Sequence, residues 1–275
     1  MPTQIIAELG INCNGSLEIA KKLIDVAHSA GCQYVKFQKR EVDLVYTKEE
    51  LSAKRESPWG TTFRDQKIGL EFFGDHYLVI DAYCYRKGIK WFASPWDLQS
   101  LGFLNQFEGC EFIKVPSALI TNESFLKACK EGNKPVILST GMSTIEMVDN
   151  AVSILGKDKI HCIMHCTSTY PSKPDELNLN CIPMLKKRYP WAKIGFSNHN
   201  PGIIFMPIAV ALGAEMIEAH VTLDRSLYGS DQASSIEPEG MFKLCKYIRG
   251  VEKAMGDGVK KIYDSEVPII KKLRK

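Results

Sequence analysis

Short runs of apolar residues alternate along the chain with longer segments in which apolar positions recur every three to four residues. A short apolar run bounded by turn residues is typical of a buried strand, whereas the longer period is typical of an amphipathic helix. This pattern predicts a series of strands, each followed by a helical segment. The predicted strands are Ile5–Leu9, Tyr34–Gln38, Lys90–Ser94, Phe112–Val115, Pro135–Ser139, Ile160–His165, Lys193–Ser197 and Met216–His220.

The first helical segment has the clearest boundaries. It is predicted over Leu17–Ala30, with Ser16 as its N-cap and Gly31 as its C-cap. Further helices are predicted over about 67–87, Ser143–Leu155 and Ile203–Leu212. A long polar excursion, residues 40–65, interrupts the alternation after the second strand.

A strict order of strand then helix allows two topologies, a closed (β/α)8 barrel or a doubly wound open sheet. An open sheet gathers its ligand groups at one switch point, whereas a barrel gathers all strand ends around one mouth. Polar residues end nearly every predicted strand: Glu8, Lys36, Ser94, Lys114, Ser139, His165, Ser197 and His220. We therefore predict an α/β fold, a single-domain (β/α)8 TIM barrel, with an active site at its mouth.

The composition is that of a globular protein, and it argues against some classes of partner. At 275 residues, with 45% hydrophobic and 24% charged residues, the chain is not mostly disordered. The net charge of +3 argues against a nucleic-acid partner, and the chain has neither a long apolar span nor a signal-peptide pattern. Its 9 cysteines are irregularly spaced and include no C-x-x-C pair, which favours reduced core cysteines over a disulfide framework or a zinc site. We expect a cytoplasmic protein with no membrane partner.

Two lysines, Lys36 and Lys114, lie inside apolar strand ends, where a buried ammonium group needs a compensating anion. An internal salt bridge to Glu8 or another carboxylate, an anionic substrate and a Schiff base remain alternatives. Convergence of both lysines on one mouth favours the anionic substrate. Hydroxyls at or beyond strand ends suit a phosphate or carboxylate, although each alone is typical of a helix cap. They belong to Ser117, Ser139, Ser168 and Ser197.

Two histidines, His199 and His220, follow the seventh and eighth strands, which are neighbours in a barrel. Their imidazoles therefore suit a two-histidine metal site that water or substrate completes, or else they are separately hydrogen-bonded. We expect His165 to be packed or hydrogen-bonded instead. The residues alone give no reason to single out Asp231 in the loop that follows.

Several motifs together resemble the sialic acid (N-acetylneuraminate) synthases, and the resemblance runs from Ile5 to about Lys275. The motifs are Ile6–Gly15 (IAELGINCNG), Val35–Gln38 (VKFQ), Ile137–Met142 (ILSTGM), Cys166–Pro171 (CTSTYP) and Gly229–Asp231 (GSD). The resemblance implies metal-dependent condensation of phosphoenolpyruvate with the open-chain aldehyde of an N-acetylated sugar. His199 and His220 match the ligands of a divalent ion, commonly manganese, with magnesium or cobalt as alternatives.

The resemblance also implies roles for the other polar residues. The lysines and serines match positions that hold the carboxylate and phosphate of phosphoenolpyruvate, and Glu8, Tyr170 and Asp231 match positions near the metal and the sugar. The candidate catalytic residues are Glu8, Lys36, Lys114 and Asp231. The candidate substrate-binding residues are Ser94, Ser117, Ser139, Ser168, Tyr170 and Ser197.

Three positions depart from the family pattern: Cys13 replaces a histidine, Leu119 an acidic residue and Ala219 an arginine. We read them as changes on the sugar side and expect an acceptor other than N-acetylmannosamine, one that leads to a legionaminic, pseudaminic or deaminated nonulosonic acid. The alternatives are another phosphoenolpyruvate-dependent 3-deoxy-ulosonate synthase, a Schiff-base aldolase acting through Lys114, or a non-catalytic barrel that binds sugar or phosphoenolpyruvate.

Members of the family usually carry an antifreeze-like domain after the barrel, which in a homodimer reaches the partner's active site. Ser265–Pro268 resembles the start of the linker to that domain. We therefore expect a barrel over residues 1–255, a tail over 256–275 and a homodimer. We also expect either that another chain supplies the lid or that the sugar binds without it.

Overall fold

The computed structural model describes residues 2–274, so Met1 and Lys275, the outermost residues of the predicted barrel and tail, lie outside the described residues. Eight parallel strands close into one barrel in the order β1-β10-β9-β8-β7-β6-β5-β2, and β3 and β4 form a separate hairpin. The strands are β1 (Gln4–Glu8), β2 (Tyr34–Lys39), β3 (Lys54–Ser57), β4 (Gly60–Thr62), β5 (Lys90–Pro95), β6 (Cys110–Val115), β7 (Val136–Ser139), β8 (Ile160–Cys166), β9 (Lys193–Asn198) and β10 (Met216–His220). The predicted TIM barrel is confirmed.

Helices cover the outside of the barrel and fill the connections between strands. They are α1 (Leu17–Ala30), α2 (Val42–Val45), α3 (Lys48–Ser52), α4 (Phe63–Leu70), α5 (Gly74–Lys87), α6 (Leu98–Asn105), α7 (Glu123–Glu131), α8 (Ile145–Leu155), α9 (Cys181–Arg188), α10 (Phe205–Ala211), α11 (Pro238–Met255) and α12 (Val267–Leu273). Short 3-10 turns lie at Gly10–Cys13, Ser117–Leu119, Lys157–Lys159, Pro174–Glu176, Gln232–Ser234 and Asp264–Glu266. Within residues 2–274 no helix combines the length and apolarity needed to cross a membrane.

The helix α1 shows how local sequence sets these boundaries. The Ser16 side chain accepts a hydrogen bond from the Ile19 N–H, and Gly31 ends the helix in a left-handed conformation with φ of 92°. A residue without Cβ adopts that conformation at little cost. Both predicted caps are therefore confirmed.

Alternation along the strands places two layers of side chains inside the barrel. The lower layer is aromatic: Tyr34, Phe92 and Phe112 lie with ring centroids 5.5 to 5.8 Å apart. Two residues further along β2 and β6, Lys36 and Lys114 form part of a polar upper layer. The aromatic layer closes the barrel below, so the polar layer is the floor of the mouth.

The single helix predicted over about 67–87 is wrong, because the chain is extended at Glu71 between α4 and α5. The buried Glu71 carboxylate forms a salt bridge with Arg40 at 2.9 Å, and Phe72 packs on Phe37 in the core. These tertiary contacts outweigh the helical periodicity. The polar excursion over 40–65 contains α2, α3 and the β3–β4 hairpin.

The other predicted boundaries differ by one or two residues. The helix predicted over Ser143–Leu155 begins at Ile145, with Thr144 as its N-cap residue. The helix predicted over Ile203–Leu212 spans Phe205–Ala211. Differences of this size are ordinary at helix ends, which fray.

Candidate active site

The mouth of the barrel holds a cavity of about 150 Å³ at the carboxyl ends of the strands. All the candidate site residues predicted from the sequence line it, except Glu8 and Asp231. The predicted residues on its walls are Lys36, Ser94, Lys114, Ser117, Ser139, Ser168, Tyr170, Ser197, His199 and His220. Strand alternation and the closed barrel therefore bring together side chains that are far apart in sequence.

The floor of the cavity is a network of buried charges around Glu218. One carboxylate oxygen, Oε1, lies 2.6 Å from Lys114 Nζ and 3.2 Å from Lys36 Nζ, and it accepts a 3.0 Å hydrogen bond from the Ser197 hydroxyl. Lys36 also lies 3.1 Å from Glu8 Oε2. The internal salt bridges that were one alternative for the lysines are therefore present, and two carboxylates balance two ammonium groups.

The two lysines hold their protons unequally. Burial lowers the pKa of Lys114 and the neighbouring Lys36 adds to this, so its pKa lies below the ordinary value despite the contact with Glu218. Burial acts in the same way on Lys36, but Glu218 and Glu8 outweigh it and raise the pKa of Lys36. Burial would raise the pKa of Glu218, yet Lys114 and Lys36 together lower it well below its usual range. Lys114 is the lysine that loses its proton more readily.

A cluster of hydroxyls surrounds Gly141 on one wall of the cavity. The Gly141 N–H donates a 3.1 Å hydrogen bond to Ser117 Oγ. A Cβ at Gly141 would lie 2.1 Å from Ser168 Oγ and 2.8 Å from Ser117 Oγ, so any side chain there would displace both hydroxyls. Hydroxyls and backbone amides gathered in this way suit the oxygens of a phosphate or carboxylate.

The two histidines lie close together, with ring centroids 5.4 Å apart. His199 Nδ1 contacts the Thr167 carbonyl, which only accepts, so Nδ1 carries the proton and Nε2 keeps a lone pair. Nε2 accepts a 2.8 Å hydrogen bond from the Tyr170 hydroxyl. Burial, together with His220, lowers the pKa of His199 to about 3, so this imidazole is neutral near pH 7.

His220 is buried, and its Nδ1 has no hydrogen-bond partner, although Asp231 Oδ2 lies 3.6 Å away. Within residues 2–274, no group of three or more His, Cys, Asp or Glu side chains forms a site for a metal ion. A metal here would therefore have two imidazole ligands from the protein and open positions for substrate and water. The His199 lone pair at Nε2, which the Tyr170 hydroxyl would have to release, and the unpartnered buried nitrogen of His220 fit that arrangement.

Sequence reasoning missed several residues of the site. Glu218 lies two residues before His220 on β10, so the period of two along a strand could have identified it. Gln38, two residues after Lys36, donates a 2.8 Å hydrogen bond to Glu8 Oε1. By contrast, His165 lies off the cavity wall and contacts the Leu177 carbonyl at 2.7 Å, as expected.

The three departures from the family pattern lie off the walls of the mouth cavity. Cys13 is fully buried in the core, where burial raises the pKa of its thiol. Ala219 is also buried, and strand alternation turns its side chain away from the face that carries Glu218 and His220. Leu119 lies in a neighbouring cleft that shares a wall with the cavity.

A (β/α)8 barrel whose strand ends bring lysines, hydroxyls and imidazoles into one concave site has the architecture of a barrel enzyme. The sequence matches the NeuB family over residues 23–260. The chain belongs to the NeuB family, and it is an enzyme of the synthase class.

Similarity to individual members extends over the whole chain. An N,N'-diacetyllegionaminic acid synthase of Campylobacter jejuni is 38% identical over 99% of this chain and 83% of its own length. The human N-acetylneuraminate-9-phosphate synthase is 34% identical, covering 100% of this chain and 77% of its own length. A crystal structure of the sialic acid synthetase from Leptospira borgpetersenii, in complex with citrate, is 32% identical with a TM-score of 0.86 and covers 100% of this chain and 93% of that one.

Proposed function

We propose that this enzyme condenses phosphoenolpyruvate with the open-chain aldehyde of an N-acetylhexosamine-type sugar, in a divalent-metal-dependent reaction that yields a sialic acid or related nonulosonic acid and phosphate. The observation that carries the proposal is one cavity in which the buried pair Lys36 and Lys114 shares its walls with the pair His199 and His220. The named activities of the similar synthases support the same reaction class.

The lysine side of the cavity would hold phosphoenolpyruvate. Its carboxylate and phosphate need several positive or donating partners, which the two ammonium groups and the hydroxyls around Gly141 provide. Glu218 and Glu8 keep the lysines in place before the substrate arrives. Ser94, Ser139 and Ser197, all buried at strand ends, would add hydroxyl donors.

The histidine side would hold the metal ion and the aldehyde. His199 and His220 would bind a divalent ion, manganese first and magnesium or cobalt as alternatives, and when bound this ion polarises the aldehyde oxygen. The Thr167 carbonyl fixes the tautomer of His199, and Asp231 lies beside His220. Such outer contacts orient imidazole ligands in metal sites.

The reaction forms a carbon–carbon bond and a carbon–oxygen bond to water, and it breaks the carbon–oxygen bond to phosphate. C3 of phosphoenolpyruvate attacks the aldehyde carbon, whose oxygen takes up a proton. Water adds at C2 and gives up its protons, and phosphate leaves with cleavage of its C2–O bond, so that C2 becomes the ketone. Lys36 and Lys114 would hold the phosphoenolpyruvate anion during the attack. Asp231, which is partly exposed, would accept hydrogen bonds from the sugar hydroxyls.

Turnover measurements test this proposal. We expect the protein to release phosphate from phosphoenolpyruvate in the presence of manganese and at least one N-acetylated sugar, and to lose this activity with a chelator. His199→Ala and His220→Ala should abolish the metal-dependent activity. His161→Ala is the matched control, because His161 lies on β8 outside the cavity. No phosphate release with any sugar, by a folded protein, would rule the reaction out.

We also propose that the enzyme works as a homodimer in the cytoplasm. All 9 cysteines are free thiols, which suits a reducing compartment. Apolar side chains exposed along the tail, among them Ile262, Tyr263 and Ile269, support association with a second copy. Analytical ultracentrifugation should show a dimer, and a monomer at micromolar concentration would contradict it.

A further inference from the structure

A row of polar side chains leads away from the floor of the mouth cavity towards the segment after β2. It consists of Lys36, Glu8, Gln38, Arg40 and Glu71, and we call it the polar row. Lys36 lies 3.1 Å from Glu8 Oε2, and Gln38 donates a 2.8 Å hydrogen bond to Glu8 Oε1. Arg40 donates to Gln38 Oε1 through one guanidinium nitrogen and forms its salt bridge with Glu71 through the other. Two members of the polar row, Lys36 and Gln38, line the cavity.

The neighbours of the Gln38 amide leave it a single orientation. A guanidinium group only donates hydrogen bonds, and an ionised carboxylate only accepts them. Gln38 lies between one group of each kind, so its oxygen faces Arg40 and its nitrogen faces Glu8. In the flipped orientation the amide oxygen would face the carboxylate and the amide N–H groups would face the guanidinium, so both hydrogen bonds would be lost.

Arg40 is contacted from three sides and is almost fully buried, with 5% of its surface exposed. Besides its contact with Gln38, its guanidinium lies 2.9 Å from Glu71 Oε1 and 4.9 Å from the centroid of the Trp96 ring. Glu71 also accepts a 3.1 Å hydrogen bond from the Arg40 backbone N–H, so one carboxylate contacts both ends of the arginine. The donor that faces the Gln38 oxygen is therefore fixed in place.

We infer that Arg40 and Glu71 are positioning residues of the active site, which act through the amide of Gln38. The fixed amide orients the Glu8 carboxylate, which in turn contacts Lys36 at the cavity floor. The extended break between α4 and α5 then serves the site, because Glu71 lies in that break. The inference rests on the proposed function where it concerns phosphoenolpyruvate, since Lys36 would hold that substrate.

The Gln38 amide can be observed directly by NMR in protein labelled with 15N-glutamine. Its side-chain cross peaks are those that disappear when Gln38→Met is introduced. The test variant is Arg40→Met/Glu71→Gln, which removes both charges of the buried pair, so that neither is left unpaired. We expect the Gln38 side-chain protons to exchange with solvent about tenfold faster in this variant than in the wild type. Unchanged exchange would overturn the inference, whatever reaction the enzyme catalyses.

The matched control is Arg64→Met/Asp43→Asn. This pair also joins an arginine to a carboxylate in the segment after β2, but both side chains are exposed. It should leave the exchange of the Gln38 amide unchanged. If Arg40→Met/Glu71→Gln does not fold, Glu71→Gln alone gives the same test. That single change keeps an oxygen for the Arg40 N–H but weakens the contact with the guanidinium, so exchange should rise about threefold.

A double-mutant cycle on phosphoenolpyruvate binding separates positioning from a general structural role. Calorimetry without metal or sugar gives the Kd for the wild type, for Gln38→Met, for Arg40→Met/Glu71→Gln and for the triple variant. We expect the Kd of phosphoenolpyruvate to rise about tenfold with Gln38→Met and about fivefold with the double variant. Because Arg40 acts through Gln38, the triple variant should bind no more weakly than Gln38→Met alone.

The outcomes separate this inference from the proposed function. If phosphoenolpyruvate binds but its Kd is unchanged in the double variant, or the two effects multiply in the triple variant, Arg40 does not act through Gln38. The inference is then wrong while the proposed reaction stands. If the wild type does not bind phosphoenolpyruvate, the proposed function fails, and the exchange of the Gln38 amide alone decides whether Arg40 and Glu71 position it.

Discussion

A single carboxylate, that of Glu218, holds the floor of the active site together. Its Oε1 atom accepts contacts from both lysines and from Ser197, while Oε2 is buried without a hydrogen-bond partner. The charge balance of the cavity therefore depends on one residue more than on any other. An anionic ligand that reaches the two ammonium groups would share them with this carboxylate.

Glu218→Gln should destabilise the free enzyme and increase the stabilisation that it gains when phosphoenolpyruvate binds. The change leaves Lys36 with Glu8 as its carboxylate partner and removes the carboxylate partner of Lys114, and removing one member of a buried ion pair costs about 3–5 kcal/mol. Phosphoenolpyruvate should restore part of the loss, because it brings negative charge to the same lysines. Urea unfolding with and without phosphoenolpyruvate measures both effects. Glu239→Gln, in an exposed ion pair with Lys243, is the control. An unchanged unfolding midpoint for Glu218→Gln would contradict this view.

Gly141→Ala should weaken the binding of phosphoenolpyruvate selectively. The new methyl group would force Ser168 and Ser117 to rotate, so their hydroxyls would leave the cavity wall. We expect the KM for phosphoenolpyruvate to rise roughly tenfold, equal to about 1.4 kcal/mol. Gly102→Ala is the control, because a Cβ at Gly102 in α6 meets no atom within 4 Å. Equal effects of both substitutions would exclude a role for the hydroxyl cluster.

At the level of single residues, the sequence predicts those that end strands and misses those whose role depends on distant partners. Lys36, Lys114 and His220 are conspicuous because each is a polar residue inside or after an apolar run. Glu218 is equally buried, but its importance comes from Lys114, which lies across the barrel on β6. Gly141 is one glycine among 20, and its role follows only from the two serines packed against it.

The segment between β2 and α5, which comprises the excursion over 40–65 and the rest of α4, contacts one side of the barrel's mouth. Its helix α4 reaches the loop after β10, where Gln66 Nε2 donates a 2.6 Å hydrogen bond to the Tyr228 hydroxyl. Trp59 lies edge-on to the same tyrosine, with ring centroids 5.6 Å apart. The loop held in this way carries Asp231, so the excursion positions one side of the site.

Tyr228→Phe should loosen this contact without disturbing the barrel. The variant loses one hydrogen bond, worth about 1 kcal/mol, and leaves a buried Gln66 amide without that partner. We expect faster amide hydrogen exchange over residues 54–70 and a higher KM for the sugar, with the KM for phosphoenolpyruvate unchanged. Tyr247→Phe, exposed on α11, should change neither. If exchange over 54–70 stays the same, the excursion is held by other contacts.

At the level of elements, predictability follows burial. The barrel strands are apolar on both faces because helices cover them, so their runs are conspicuous in the sequence. The β3–β4 hairpin has an exposed strand, Lys54–Ser57, with no apolar pattern to predict it. The break between α4 and α5 depends on the salt bridge of Glu71 with Arg40, a contact that periodicity within one segment cannot contain.

The whole barrel is held by closure at β1, which pairs with both β10 and β2. In that register Glu8 lies opposite His220 on one side and Lys36 on the other. The first strand therefore joins the histidine half of the site to the lysine half. Helix α11 supports the closure from outside, with Met241, Leu244, Cys245 and Ile248 buried.

The predicted boundary between barrel and tail can be tested on the whole molecule. Residues 256–274 are exposed except for the half-buried Ile270, so they contribute little apolar burial to the barrel. A chain ending at Met255 should therefore have the same free energy of unfolding in urea as the longer protein, within about 0.5 kcal/mol. A chain ending at Glu237 is the control and should not fold, because it lacks the buried face of α11. If the chain ending at Met255 also fails to fold, or is clearly less stable than the longer protein, the tail belongs to the barrel and the boundary at 255 is wrong.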